Sequence, residues 1–216
     1  NGMVFDMHLA RGHLYLGGAF GRLGSSVRTG FGAVHPATGA VRTASDVAFT
    51  AAPAGANHIR RFDITPDGTR LVAIGNFGRV GGQDRPDIAM LHLNAGGGGT
   101  VAAWRTGAYA DGTCGPKHEQ SVYDVDIAPD GRWFVVVTTG GPHGPTRLCD
   151  SAARWEIDGT GSAPTWVNWT GGDTLTSVAI TGAAVYVAGH HRWLDNPDGR
   201  NSKGPGAVDR PGIGAL

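Results

Sequence analysis

The sequence has few cysteines, few lysines and no long apolar run. Only Cys114 and Cys149 are cysteine, and Lys117 and Lys203 are the only lysines among 18 basic residues. No apolar stretch approaches the roughly 18 residues of a membrane-spanning helix, so no membrane span is predicted. The formal net charge is zero and no polybasic segment occurs. Nucleic acid and anionic membrane surfaces are therefore not expected as partners.

Motifs of common catalytic and cofactor sites are also missing. The chain has no Gly-x-Ser-x-Gly, no His-Glu-x-x-His, no phosphate-binding loop ending in Gly-Lys-Ser/Thr and no dinucleotide-binding fingerprint. Neither cysteine belongs to a Cys-x-x-Cys or Cys-x-x-His pair, so the common zinc motifs are absent. The sequence predicts no catalytic residue, no cofactor and no metal site.

Glycine, in contrast, is abundant, with 37 residues lying between short apolar segments. The clearest structural unit covers residues 121–158. Within it, Val122 to Ile127 alternate with the period of two that is typical of a β-strand. Pro129-Asp130-Gly131 predicts a tight turn, and the apolar run from Trp133 to Thr138 predicts a second, buried strand.

This unit occurs three times and begins a fourth time. Residues 14–24 align with residues 71–81 at an offset of 57, and Phe5-Asp6-Met7 aligns with Phe62-Asp63-Ile64 at the same offset. Residues 64–68 align with 127–131, and residues 178–189 repeat the two opening strands. A β-sandwich would not require such a recurring cassette. The repeat predicts an all-β protein, a β-propeller of four-stranded antiparallel blades.

We expect a single propeller segment over residues 1–216. Its blades cover approximately residues 3–50, 58–106, 121–169 and 174–216, and the last is incomplete, so about three and a half blades are present. Propellers close with roughly four to eight blades. The remaining blades are expected from a longer chain or from another chain. Because the sequence starts at Asn1 without a methionine, we also expect a leader or a longer N-terminal part to precede it.

Several stretches resemble a known group of proteins. Residues 14–24, LYLGGAFGRLG, followed by residues 31–39, FGAVHPATG, resemble the delta-sixty type repeat of secreted and cell-surface bacterial β-propellers. Residues 148–156, 186–194 and 210–216 are similar to secreted propeller proteins of high-GC bacteria. The resemblance implies a propeller fold and a secreted or cell-surface location. It brings no shared catalytic residues.

The two cysteines are expected to pair. Cys114 and Cys149 lie in loop-like polar surroundings within one unit. The resemblance implies an oxidising compartment, in which disulfide bonds persist. Two free buried thiols are the alternative.

Aspartates recur in the innermost strands. In the alignment, Asp6, Asp63 and Asp126 fall at equivalent positions, whereas the fourth unit has Ala179 there. A ring of carboxylates could hold a cation. The interpretation that we favour is that each aspartate accepts backbone hydrogen bonds and ties neighbouring blades together.

The long polar loop from His190 to Gly206 is the main candidate binding site. Trp193 offers an apolar ring face, and polar groups suited to a sugar surround it. The alternative is a connection that makes turns while Trp193 packs beneath the blade. The polar candidates of this loop are His190, His191, Arg192, Asp195 and Asp198.

Arg22 and Arg79 are further candidates, because each follows an aromatic residue at the same point of a unit. Repeated aromatic–arginine pairs could form equivalent ligand sites or cation–π contacts that complete each hairpin.

The leading prediction is a secreted or cell-surface, non-catalytic propeller that binds a glycan or a protein partner. One alternative is a purely structural module of a larger secreted protein. The other is an extracellular glycan-acting enzyme with carboxylates near the channel mouth, for which the candidates are Glu119, Asp124, Asp126 and Asp173.

Overall fold

The computed structural model describes residues 2–53, 55–110, 112–115 and 122–216, and all regular elements within these ranges are β-strands. No helix in the described residues is long and apolar enough to cross a membrane. The chain forms two compact units, Asn1–Arg105 and Thr106–Leu216. The predicted all-β class is confirmed.

The first unit holds two antiparallel sheets that matter for packing. The first sheet has the strand order β1-β2-β5, and an isolated bridge joins Val34 to Val41 at its outer edge. The second sheet has the order β12-β11-β8-β7. The strands are β1 (Gly2–Ala10), β2 (His13–Phe20), β3 (Arg22–Leu23), β4 (Ser26–Val27), β5 (Phe31–Val34), β6 (Phe49–Thr50), β7 (His58–Ile64), β8 (Arg70–Asn76), β9 (Arg79–Val80), β10 (Gln83–Asp84), β11 (Ile88–Leu93) and β12 (Gly99–Val101).

The second unit repeats this arrangement. The third sheet has the order β13-β14-β15-β16, and the fourth sheet has the order β17-β18-β21. The strands are β13 (Val122–Ile127), β14 (Trp133–Thr138), β15 (Ser151–Glu156), β16 (Trp166–Trp169), β17 (Leu175–Ile180), β18 (Val185–Gly189), β19 (Trp193–Leu194), β20 (Val208–Asp209) and β21 (Ile213–Ala215).

The registers of the inner hairpins correct one predicted equivalence. Leu9 pairs with Leu14 whereas Ile64 pairs with Leu71, so the first turn is shorter than the second by two residues. A fixed offset of 57 therefore misaligns the inner strands, and the predicted equivalence of Asp6 with Asp63 is wrong. Strand pairing instead gives two sets of equivalent positions in the inner strands of the four sheets. One set is Asp6, Arg61, Asp124 and Ser177. The other is His8, Asp63, Asp126 and Ala179.

Within each unit, two sheets pack face to face. We call the face that carries Phe62, or the residue in register with it (Met7, Val125 or Val178), the front face of its sheet and the opposite face the back face. In the first unit, Tyr15 and Phe31 on the back of the first sheet pack against Phe62 and Leu71 on the front of the second sheet. In the second unit, Val135 of the third sheet packs in the same way on the fourth sheet. Burial of these side chains is the main stabilising contribution.

Asp6 and Asp126 connect neighbouring sheets as the favoured interpretation predicts, and Asp124 does the same, whereas Asp63 accepts the amide of Ile64 in its own strand and lies 3.4 Å from His8 of the first sheet. The Oδ2 atom of Asp6 accepts a hydrogen bond from the amide of Phe62 at 2.9 Å. The Oδ2 atom of Asp124 accepts one from the amide of Val178 at 3.0 Å. Asp126 likewise accepts a hydrogen bond from the amide of Ile180. These carboxylates are structural ties between neighbouring sheets.

The predicted disulfide bond is confirmed. Cys114 and Cys149 are joined, with a Cα–Cα distance of 5.7 Å, and each is 3% exposed. The bond connects the start of the second unit to the residues that lead into β15.

Candidate functional site

The candidate loop is an insertion into a hairpin that other sheets also possess. Three short hairpins, β3–β4, β9–β10 and β19–β20, follow the second strands of their sheets. In the first two, residues 24–25 and 81–82 make the turn. In the third, Leu194 pairs with Val208, so residues 195–207 form the connection. The fourth sheet therefore carries a long loop where two residues suffice elsewhere.

A single buried side chain braces this loop. Asn196 has no exposed surface, and its Nδ2 donates to the carbonyl oxygens of Thr170 at 2.9 Å and Ser202 at 3.0 Å. Its Oδ1 accepts a hydrogen bond from the amide of Gly204 at 2.8 Å. Three separate segments are thereby held together, so the loop has a fixed conformation that can present side chains.

Arg192 is committed to an ion pair at the base of the loop. Its guanidinium forms a two-pronged contact with Asp173, from Nε to Oδ2 at 2.9 Å and from Nη2 to Oδ1 at 3.0 Å. Burial alone would raise the pKa of Asp173, but the hydrogen bonds from Arg192 hold that pKa below its usual value. The Arg192 guanidinium also lies 4.2 Å from the ring centroid of Trp193. One face of Trp193 is thus covered.

The two histidines have different surroundings. His190 is exposed, and its Nε2 accepts a hydrogen bond from the amide of Thr174 at 3.2 Å. His191 is 1% exposed, and neither ring nitrogen has a hydrogen-bond partner among the described residues. Burial lowers the pKa of His191, and the carboxylate of Asp173 only partly opposes this effect. His191 shares the register of Phe20, since both accept an amide hydrogen bond at the same point of the hairpin.

The two candidate arginines of the first unit act within their own hairpins. Arg22 donates to the carbonyl oxygen of Ser25 across the turn. The Nε atom of Arg79 lies 3.1 Å from Oδ1 of Asp84, on the paired strand. By strand register, Trp193 is equivalent to Arg22 and Arg79, and the residue equivalent to Phe20 and Phe77 is His191. The three hairpins therefore do not present equivalent aromatic–arginine pairs.

Two acids of the loop line two different clefts. Asp198 borders a small polar cleft of about 270 Å³ together with His143 and Arg200. Asp195 borders a larger cleft of about 540 Å³. We call the larger one the tryptophan cleft; it is lined by Trp133, Arg154, Trp166, Asn168, residues 181–185, Asp195 and Leu216.

The wall of the tryptophan cleft is one face of the third sheet. Arg154 pairs directly with Trp166 across β15 and β16, and with Val135 across β14 and β15. Alternate residues of a strand share a face, so Trp133 and Asn168 lie on the same side as Arg154. Both tryptophan side chains are half-buried, which leaves part of each ring accessible.

Arg154 is held in place at the centre of this wall. Its guanidinium carbon lies 4.3 Å from the ring centroid of Trp133, and its Nε donates to Oε1 of Glu156 at 2.9 Å. The same Glu156 oxygen accepts a hydrogen bond from Thr165 at 2.8 Å. A guanidinium has five N–H donors, so its terminal groups can donate to a ligand. The tryptophan and the carboxylate fix the direction in which they point.

Asp195 joins the long loop to this wall. Nδ2 of Asn168 lies 2.5 Å from Oδ1 of Asp195, and the Asp195 amide donates to Oδ1 of Asn168 at 2.9 Å. Asp195 is exposed and adopts a positive φ of 51°. The paired contact keeps a carboxylate at the cleft that Trp166 also lines.

The carboxylates considered for catalysis have structural partners. Asp124 and Asp126 accept backbone amides of the fourth sheet, and Asp173 pairs with Arg192. Glu119 lies outside the described residues. Within the described ranges, no group of three or more His, Cys, Asp or Glu side chains is arranged to hold a metal ion.

Sequence reasoning identified Asp195 but missed the rest of the tryptophan cleft. A signal for it exists in the third unit, where Trp133 alternates with Val135 and Trp166 alternates with Asn168. Period-two alternation places each pair on one face. The strand register that brings these residues together with Arg154 is not visible in the sequence.

Comparison with known proteins identifies the fold but no family or function. No family model matches the chain, and no curated protein matches it. Among solved structures, the chain is similar to the Myceliophteria thermophila Cps50 (Swd1) beta-propeller domain, with a TM-score of 0.55 and 12% sequence identity. The match covers 87% of this chain and 48% of that chain, so this chain spans about half the length of its structural neighbour. The β-propeller fold is confirmed.

Proposed function

We propose that this chain is an exported, non-catalytic binding module and that the tryptophan cleft binds a carbohydrate. The observation that carries the proposal is the placement of Trp166 beside Arg154, with the Asn168–Asp195 pair at the rim. Ligand pockets typically combine aromatic surface with a few fixed polar groups, and a sugar ring offers both an apolar face and hydroxyl groups. The cleft supplies the complement of each.

The roles of the side chains follow from their chemistry. Trp166 provides a flat apolar face on which a sugar ring can stack. The terminal N–H groups of Arg154 donate to hydroxyl oxygens, and the carboxylate of Asp195 accepts from hydroxyl hydrogens. Trp133 serves mainly to hold Arg154, because the guanidinium covers its ring. This arrangement binds and orients a sugar without supplying a pair of free carboxylates for hydrolysis.

Export is supported by the disulfide bond and by the resemblance to delta-sixty type propellers. Disulfide bonds form and persist in oxidising compartments and are rare in reducing ones. The bond between Cys114 and Cys149 is consistent with such a compartment. We therefore assign the chain to the cell surface or the medium as part of the same proposal.

Carbohydrate binding is tested by titration calorimetry with cello-, xylo-, malto- and chito-oligosaccharides. We expect at least one series to bind and Trp166→Ala to weaken that binding by about 1–3 kcal/mol, the usual effect of losing an aromatic anchor. Asp195→Asn preserves the acceptor that contacts Asn168 while removing the charge, so it should weaken binding without lowering the melting temperature.

Trp193→Ala is the matched control, because Trp193 lies in β19 at the base of the long loop and does not line the tryptophan cleft. It should bind the oligosaccharide as the unmodified protein does. If no oligosaccharide binds, the cleft proposal fails and the structural-module interpretation takes its place. If binding depends on Trp193 and not on Trp166, the site lies in the loop itself.

A further inference from the structure

The first sheet has an apolar front face that the described residues leave exposed. Met7 is 58% exposed and Leu9 is 67% exposed, although both belong to a nine-residue strand. Their pairing partners Leu16 and Leu14 extend the same face. Large contiguous apolar surfaces on soluble proteins usually mark interaction sites.

The internal repeat shows what kind of surface covers such a face. Phe62 of the second sheet shares the register of Met7, and it is 1% exposed beneath the back face of the first sheet. Val178 of the fourth sheet shares this register too and lies under the back face of the third sheet. In both units, therefore, a front face of this type is covered by the back face of another sheet.

The fourth sheet has an uncovered back face of the matching type. Tyr186 shares the register of Tyr15, and Ile213 shares that of Phe31. Tyr15 and Phe31 are fully buried against the second sheet, whereas Tyr186 is 42% exposed and Ile213 is 64% exposed. The chain thus displays both halves of an interface that it forms twice internally.

We propose that the back face of the fourth sheet docks on the front face of the first sheet in a second copy of this chain. The contact continues the sheet-on-sheet interface that is already formed inside each unit. Because the two surfaces are different, the association is head to tail, and one copy can use both surfaces at once. The proposal is independent of carbohydrate binding, since neither Leu9 nor Ile213 lines the tryptophan cleft.

The experiment is sedimentation velocity on the 216-residue chain over a range of concentrations, with single charged substitutions. Leu9→Glu disables the front face and Ile213→Glu disables the back face. Both side chains are largely exposed, so the folded chain tolerates the change. Val27→Glu is the control, because Val27 is 64% exposed on a short hairpin strand outside both faces.

The unmodified chain and Val27→Glu should self-associate, and each single-face variant alone should be monomeric. A mixture of Leu9→Glu with Ile213→Glu retains one intact pair of faces and should form a complex of two chains. A monomeric unmodified chain at all concentrations overturns the proposal. So does self-association that survives both substitutions, or a mixture that stays monomeric.

Discussion

The sulfur atom of Cys114 lies 2.7 Å from the point at which a Cβ atom on Gly140 would stand. The Cβ atom of Cys149 is 3.0 Å from the same point. By strand register, Gly140 corresponds to Phe20, Phe77 and His191 of the other sheets. The disulfide bond of the third sheet therefore occupies the volume that an aromatic ring fills in the first and second sheets.

Gly140→Ala should consequently destabilise the protein. The new methyl group collides with the disulfide, and Gly140 has a φ of 136° that L-residues rarely adopt. We expect a loss of about 1–3 kcal/mol in the free energy of unfolding, measured by denaturant titration. Gly141→Ala is the control, since Gly141 also has a positive φ but no atom within 4 Å of its Cβ position. Equal losses in both variants would contradict the packing account.

Removing the disulfide bond itself should lower the free energy of unfolding more than Gly140→Ala does. Cys114→Ser with Cys149→Ser removes a cross-link between residues separated by 35 positions. We expect a decrease of roughly 2–5 kcal/mol in the free energy of unfolding. Alkylation and mass measurement with and without reductant provide the check. Labelling of both cysteines before reduction would show that the bond does not form in the isolated protein.

His191→Phe should stabilise the protein. The substitution removes two buried ring nitrogens that lack partners among the described residues and restores the residue type of Phe20 and Phe77. Removing an unsatisfied buried polar group is worth about 1–3 kcal/mol. The reverse change, Phe77→His, is the matched control and should destabilise. A lower melting temperature for His191→Phe would show that the site cannot accept the larger ring.

The increase in the free energy of unfolding that His191→Phe produces should be larger at acidic pH. Burial lowers the pKa of His191, while Asp173 raises it and the neighbouring His190 lowers it further. A depressed pKa means that stability is fully present above the unfolded value of about 6.5 and is lost as the pH falls toward the folded value. Phenylalanine does not titrate, so the His191→Phe variant does not lose stability at this position as the pH falls. Unfolding titrations at pH 7 and pH 5 should show a larger difference between the two proteins at pH 5.

Asp173→Asn should lower the melting temperature by a few degrees at neutral pH. The change removes the charge that receives Arg192 at the base of the long loop. Although burial opposes it, hydrogen bonding from Arg192 lowers the pKa of Asp173. The stabilisation is therefore present above the ordinary aspartate pKa of about 3.9 and disappears as the pH falls through the folded value. A difference between variant and parent that stays constant down to pH 3 would contradict this assignment.

Much of the fold is predictable from local sequence. The alternation in Val122–Ile127 and the Pro129-Asp130-Gly131 turn determine a hairpin without reference to distant residues. The aspartate equivalence failed because Asp6 and Asp63 flank turns of different length, which a fixed offset cannot represent. Register depends on each turn, and a change of two residues moves the strand without altering its apolar pattern.

The site was harder to predict because it is assembled across strands. The loop from His190 to Gly206 is unusual in sequence, yet Asn196 and Arg192 serve to brace it. The aromatic wall comes from Trp133 and Trp166, which are 33 positions apart and meet only through the pairing of β14, β15 and β16. The composition of the sequence revealed the unusual loop but not the tryptophan cleft.

Oxidative footprinting of the tryptophan rings, read by mass spectrometry, tests the assignment of the cleft most directly. The protein is oxidised with and without the oligosaccharide that binds it most tightly, and modification is quantified at each tryptophan. The ligand should protect Trp166 strongly and Trp133 to a smaller extent, while Trp193 and Trp169 react equally in both samples. Protection of Trp193 with unchanged oxidation of Trp166 would contradict the account and place the ligand in the long loop.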